Sequence, residues 1–535
     1  MVRRHPALLL LAAALLSPRP AMAQVVPPGY HVETLASGLA APCAFDFMPD
    51  GGVVFTEQNT GSVRLLRAGG GVQAVPVITI PDVVGGGERG LLGIAVDRLY
   101  TSRPFLFVLH STSGPSRTRI SRYTLNAGAF AGGADLLADP ASRLDLLDAI
   151  PDAASNHNGG TLRFASDGTL IASLGDDAFP CGAQDSTGLR GVILRMSVNR
   201  LGPGPGVASI GQLTPLDNPY ASSPDSNARL VLARGLRNPF RVQCDEALPW
   251  LMIGDVGNSQ REEFDLLALP TAGTLPPGMV RSGANFGWPY REGTVAGSLG
   301  GSCAAAPATL AEPAFDYDRT SFSSGASIIA AGFMPAIITT RAPGILPAQT
   351  LPPGMYFSDY YTGAITRLDV PPGGTNWQVA PAVPGQPTAD HFAEGFRAVA
   401  DWRVRAGTLW FVRQSINFAA NTGSIGRIVA DEVAPPPPPP PTGELQFIAL
   451  DTPAQGSVEF LVTGGTVTPR RLAIHDERGR MLREYQGGAL RRAPDGLRLI
   501  WDGLDDQGGK VRPGVYWARL EGADGTRTTR IVFLR

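Results

Sequence analysis

The sequence predicts an all-β chain, a six-bladed β-propeller followed by a small β-sandwich, and three observations carry that prediction. The 535 residues include 65 glycines and 48 prolines but only 17% charged side chains. Such a composition supplies turns freely and leaves few windows in which a helical period lasts more than two turns. Six related alternating stretches recur: GSVRLLR from Gly61, RISRYTL from Arg119, GVILRMSV from Gly191, EEFDLLAL from Glu262, GAITRLDV from Gly363 and GSIGRIVA from Gly423. Finally, seven consecutive prolines, Pro435 to Pro441, cut the chain into a long and a short part.

Residues 1–23 come first and read as a secretory signal. Arg3 and Arg4 precede an apolar run from Ala7 to Leu16, and Ala21-Met22-Ala23 supplies a small-x-small cleavage site. That run is too short to span a bilayer, and no later stretch is long enough to do so. The expected product is periplasmic or secreted. Residues 24–535 carry a formal charge of about −5, which gives no electrostatic footprint for nucleic acid or an anionic membrane.

Residues 28–431 follow. Upstream of several repeat copies lies a partner strand, as in FDFMPDGGVVFTE, LRFASDGTLIASLGD, WLMIGDVG, GMYFSDYYTG and GTLWFVRQ. A unit of this size cannot bury its own faces, whereas radial stacking buries them and protects the strand edges. Six copies predict six blades. Their uneven spacing predicts long loops around Gly128–Pro151, Leu201–Asn227 and Pro270–Ala314.

A polyproline II rod of roughly 20 Å over residues 434–442 then separates the domains. The tail, residues 443–535, reads as strands throughout, with turns at Glu477–Arg480, Asp505–Gly509 and Gly522–Gly525. About 90 residues at this spacing predict an antiparallel sandwich, with Trp501 and Trp517 in its core.

Four cysteines, Cys43, Cys181, Cys244 and Cys303, form no CxxC or CxxCH motif, which argues against a zinc knot or covalent haem. In an oxidising compartment one or two disulfides are expected, in any of three pairings.

Chemistry concentrates in SNHNGGTLRFASDGTLIASLGDD, Ser155 to Asp177. His157 sits between Asn156 and Asn158, before Gly159-Gly160 and an alternating strand. Glycines there let backbone approach a ligand, and the strand fixes where the imidazole points. His157 is the candidate base. Arg237 and Asn238 read either as functional groups or as turn residues before Pro239, and Asp255, Glu262 and Glu263 read equally as a solvated acidic loop.

ERGLLGIAVD, NHNGGTLRFASDGTL, GLRNPFRVQCD, GDVGNSQREEFDLL, ANFGWPYREG and MYFSDYYTGAI, taken in order from Glu88 to Ile365, resemble the soluble glucose and aldose sugar dehydrogenases. Those propeller enzymes use pyrroloquinoline quinone, and the wider group includes Hedgehog-interacting-protein-like members. The resemblance covers residues 28–431. It implies that His157 takes the proton of a sugar's anomeric hydroxyl while hydride passes to the quinone, and that Arg237 stabilises the charge developing on the quinone carbonyl. It further implies cofactor contacts from Glu88, Asn238 and Arg397, and calcium held by the carbonyls of Gly257 and Asn258. Such an ion takes oxygen ligands and acts as a Lewis acid. Base and cation together suit hydride transfer to a neutral quinone.

Tyr361 stands where those enzymes carry a lysine and Gly395 where they carry a second arginine, while Asn156 replaces an aspartate that can orient the base. These departures, and the likeness of Asn156 to Gly160 to the Hedgehog-interacting-protein-like branch, point to the alternative of a non-catalytic propeller that binds a saccharide or protein. A calcium-dependent lactonase would need acidic and amide side chains converging on the channel axis, and the motifs argue against it. With no haem motif, an oxidation would need an external electron acceptor. The tail signature WDGLDDQGGKVRPGVYWARL resembles the immunoglobulin-like domain of the flagellar hook-capping protein.

Overall fold

A computed structural model describes residues 23–535 except 246, 321–324, 336–349, 372–373, 432–445, 451, 464–468, 494–495, 523–524 and 535. The expected signal, apart from Ala23, and the expected polyproline rod therefore lie outside the described residues. Chain contacts separate two units, ending at Asp431 and beginning at Glu432.

In the first unit, six blades, each antiparallel through its first three strands, surround a central channel. Their inner strands are Pro42–Phe47, Leu91–Val96, Leu162–Phe164, Arg241–Cys244, Ile328–Met334 and Val399–Arg405. Each inner strand neighbours the next, and the sixth neighbours the first. The ring closes through Tyr30–Leu39, which pairs with Gly423–Ala430 as the outermost strand of the sixth blade.

All six sequence repeats fall on the third strand of a blade: Ser62–Leu66, Arg117–Leu125, Val192–Met196, Arg261–Ala268, Ile365–Asp369 and Gly423–Ala430. A third strand is flanked by sheet on both edges and by a neighbouring blade on each face, so it repeats the same demand for alternating apolar residues. Six apolar clusters fill the six gaps between adjacent blades. Phe105–Thr112, buried at every position, shows how completely a middle strand is enclosed.

One expected loop is instead a strand. Ala138–Pro151 pairs with Arg117–Leu125 as a fourth strand, its register broken in three places. Its alternation in SRLDLLDAI is enough to hold the edge of the blade.

The second unit is a sandwich of a four-stranded and a five-stranded sheet around a shared apolar core. A tight turn closes at Asp476–Arg480. Trp501 is fully buried in the core, but Trp517 is 42% exposed. The correction follows from the period of two: Tyr516 and Ala518 face inward, so Trp517 between them faces out.

Candidate active site

Each blade runs its inner strand away from one end of the channel and its second strand back toward it. Loops entering inner strands and loops leaving second strands thus share one face. Glu88, His157, Arg237-Asn238 and Arg319 lie on entering loops, and Asp176, Asp255 to Asn258, Tyr360-Tyr361 and Gln414 on leaving ones. Glu88, His157, Arg237, Asn238, Val256, Gly257, Arg319, Tyr360, Tyr361 and Gln414 among them line a cavity of about 470 Å³.

His157 is fixed at every polar atom. Its N–H donates to Glu88 Oε2 at 2.7 Å, Nδ1 lies 2.7 Å from Asp176 Oδ1, and Nε2 lies 2.7 Å from Arg237 Nη2. A guanidinium can only donate, so Nε2 accepts from Arg237 and the ring proton sits on Nδ1, facing Asp176. Asp176 is itself held by the Trp288 indole N–H at 2.8 Å and the Ala178 N–H at 2.9 Å. His157 adopts φ +59°, and Asp177 and Ala178 adopt +56° and +51°. Left-handed backbone at non-glycine residues costs on the order of 1–3 kcal/mol each and persists only where surroundings impose it. Gly159 makes the turn possible: at φ +64°, a Cβ there would meet the Ser173 carbonyl at 2.7 Å.

Asp255 anchors the facing loop, accepting from the Arg237 N–H at 2.9 Å and the Asn238 N–H at 2.7 Å. Burial pushes its carboxyl up to about 7, against the pull of those two donors and of the Arg237 charge. The Asn238 side chain ties the loops together, accepting from the Gly159 N–H at 3.0 Å and donating to Glu88 Oε2 at 3.0 Å. Burial lowers the Arg237 guanidinium from its usual value, while Asp176 and Asp255 oppose the shift. Asp255, Glu262 and Glu263 are all buried, so the reading of a solvated acidic loop fails.

Cys181 and Cys303 form a disulfide. It joins the segment after Asp176 to the segment after Trp288, the same two loops that meet in the Trp288–Asp176 hydrogen bond. Cys43 and Cys244 are free thiols.

His157, Arg237, Asn238, Glu88 and Gly257 line one cavity, whereas Asn258 and Arg397 do not. Asn258 turns its N–H onto Glu292 Oε1 at 2.7 Å. Arg397 donates from Nε to the Tyr361 carbonyl at 2.6 Å. Orientation of His157 comes from Asp176, not from Asn156, which is exposed. Gly395 has a backbone reason: at φ +86°, a Cβ there would lie 2.3 Å from the Ala23 carbonyl.

A planar polyanion such as pyrroloquinoline quinone suits the cavity. Arg237 and Arg319 supply positive charge, Arg237 Nε is buried without a hydrogen-bond partner among the described residues, and Tyr360 and Tyr361 give flat walls. Calcium does not suit it. The Gly257 carbonyl already accepts from Arg319 Nη1, and Glu292 Oε1 draws in the four N–H groups of Asn258 to Arg261. A loop that presents N–H groups to a carboxylate, with its Val256 and Gly257 carbonyls each on a guanidinium, leaves a cation no free oxygen cage. Among the described residues no group of three His, Cys, Asp or Glu could hold a metal.

A profile of the glucose/sorbosone dehydrogenase family matches residues 39–351. The chain belongs to that family. Aldose sugar dehydrogenase YliI of Escherichia coli is 25% identical over 270 residues, 49% of this chain and 62% of that protein. Human Hedgehog-interacting protein is 27% identical over 242 residues, 40% of this chain and 32% of that protein. The chain thus spans under two thirds of either relative. A PQQ-bound aldose sugar dehydrogenase from Streptomyces coelicolor shares the fold at a TM-score of 0.52 and 20% identity, covering 76% of this chain and 100% of its own.

Sequence reading missed Asp176, Trp288 and Arg319. Asp176 had a signal: GDD closes the strand after His157, and a residue ending a second strand returns to the face from which the inner strand departs. Trp288 lies within the ANFGWPYREG motif, which gave the residue no role of its own, and Arg319 reaches the site from a long inter-blade segment with no periodic pattern to mark it.

Proposed function

We propose that the propeller is an exported quinoprotein that oxidises the anomeric carbon of aldose sugars to lactones with pyrroloquinoline quinone, passing electrons to a separate acceptor. The chain Asp176–His157–Arg237 carries this reading. Family membership makes the chain an oxidoreductase relative, and the site's own residues supply the rest of the argument. When bound, the quinone provides a two-electron hydride acceptor. Arg237, Arg319, Asn238 and Glu88 are the residues that would hold it.

His157 Nε2 is the basic atom exposed to the cavity once Arg237 Nη2 releases it. A sugar hydroxyl placed there gives up its proton to Nε2, and Asp176, across the ring at Nδ1, stabilises the imidazolium that results. Glu88 fixes the ring's height through the His157 N–H. The Trp288 indole N–H keeps the Asp176 side chain aimed. Arg237, held by the Val256 carbonyl at 2.9 Å, stays beside the reacting carbon as a cation. Positions are set before substrate arrives, which is the condition for electrostatic stabilisation to lower a barrier.

The disulfide supports export through the signal at residues 1–23, since such bonds persist in oxidising compartments. Residues 443–535 serve as an immunoglobulin-like accessory module. Tyr361 and Gly395, in place of basic residues, favour a second reading, a propeller that binds a saccharide or protein without chemistry.

The deciding experiment adds the quinone to purified protein and follows dye reduction over an aldose panel. Quinone absorbance should change on binding, and at least one aldose should reduce the dye. If neither happens the enzyme reading falls and the binding one stands.

A further inference from the structure

The cation expected from a metal is already present as a side chain. Arg319 reaches the cavity from the segment between the fourth and fifth blades. Its backbone N–H donates to the Gln260 carbonyl at 3.0 Å, which docks the segment on the 257–260 loop. Its guanidinium meets three oxygens. Nη1 donates to the Gly257 carbonyl, Nη2 donates to the Ala326 carbonyl at 3.2 Å, and Glu262 Oε1 lies 2.9 Å from Nη1 as an ion pair without the alignment of a hydrogen bond. Glu262 is fully buried and its other oxygen accepts from the Ile328 N–H at 3.0 Å. Two main-chain carbonyls and a carboxylate are the donor set a hard cation would take, and here they hold a guanidinium that is 16% exposed.

From this we infer that Arg319 is the resident cation of the pocket, replacing a calcium ion, so that an anionic ligand binds beside Gly257 without metal. The planar fork of a guanidinium is suited to a carboxylate or a quinone oxygen. Arg237 on the facing loop and Arg319 then present charge from two sides. Loss of basic residues at Tyr361 and Gly395 is offset in part by a cation at a different place in the ring. Naming the quinone as the anion rests on the function proposed above, but the replacement of calcium does not.

The test uses the full chain and two readouts. Calcium is titrated calorimetrically into apo-protein, wild type against Arg319→Met. Arg319→Met should show a calcium site that wild type lacks, because the Gly257 and Ala326 carbonyls and the Glu262 carboxylate are released. Quinone affinity is then read from absorbance, in EGTA and in millimolar calcium. Wild type should bind equally in both, and Arg319→Met should bind about tenfold or more weakly in EGTA and recover in calcium. Arg319→Lys keeps the charge and should retain calcium-independent binding, which preserves the test if the Met variant fails to fold. Identical calcium isotherms for wild type and Arg319→Met would overturn the inference. So would a wild-type quinone affinity that falls about tenfold in EGTA. Failure of wild type to bind quinone under either condition removes the function reading, and the calcium comparison then decides the role of Arg319 alone.

Discussion

The two ends of the propeller channel hold cavities of different kinds, and the larger is not the site. At the end formed by hairpins joining first and second strands, about 910 Å³ is lined by Asp46, Met48, Asp97, Cys244, Phe333, Arg405 and their neighbours. Groups there are already engaged: Arg403 pairs with Asp46 at 3.0 Å, Arg405 lies over the Phe47 ring, and burial pushes the Cys244 thiol up to about 12, which keeps it unreactive. The opposite end has half the volume, yet Glu88, Asp176 and Arg237, drawn from loops of three blades, converge on one histidine. Volume measures how loosely hairpins close a channel, whereas a site needs oriented polar groups with capacity left for a ligand.

The largest test of that contrast is His157→Ala. It should lower turnover of quinone-loaded protein by about 10²–10⁴-fold while circular dichroism and melting stay close to wild type; retained full activity would refute the base assignment. Asp176→Asn should follow closely, since an amide cannot stabilise the imidazolium, and its loss should fall on kcat rather than KM.

Next is the disulfide, which belongs to the site end alone. Replacing Cys181 and Cys303 by serine should destabilise the propeller by about 2–5 kcal/mol in denaturant titration. It should also raise hydrogen exchange around Asp176 and Trp288. An unchanged midpoint would mean that the loops are held without the bond.

A smaller effect concerns Asp265, buried with both carboxyl oxygens unpaired among the described residues. Burial, then the charge of Asp255, raise its carboxyl well above the usual range. A raised carboxyl binds its proton more tightly in the fold than in the unfolded chain. Its contribution is therefore intact below the unfolded value of about 4 and declines as pH rises toward the folded value. Asp265→Asn should gain on wild type in melting temperature as pH increases, and a constant difference across pH 4 to 8, a range set by carboxyl values, would refute it.

The smallest effect is expected at the far end. Arg405 stacks on Phe47 at 4.4 Å, so Arg405→Ala should cost about 1 kcal/mol in stability and leave turnover unchanged. A large loss of activity would show that the far cavity communicates with the site.

Local pattern made much of this legible. Third strands are enclosed alike in every blade, which is why six stretches from Gly61 to Gly423 resemble one another and count the blades. His157, Arg237, Asn238 and Glu88 could be singled out because each lies in a short turn just before an inner strand, where the motif is compact. Arg397 occupies the equivalent turn and yet points to the Tyr361 carbonyl, so position in a motif does not settle where a long side chain goes.

By itself the sequence determined the blade count and the division of the chain and made His157 a candidate, because each depends on periodicity or composition within a few residues. Tertiary structure decided what those residues touch. The Cys181–Cys303 pairing, the choice of Asp176 over Asn156 as the partner of His157, and the seating of Arg319 on the Gly257 carbonyl all join residues from 19 to 122 positions apart. Chain closure around a ring brings such segments together through packing of whole blades, and no local window of sequence contains that information.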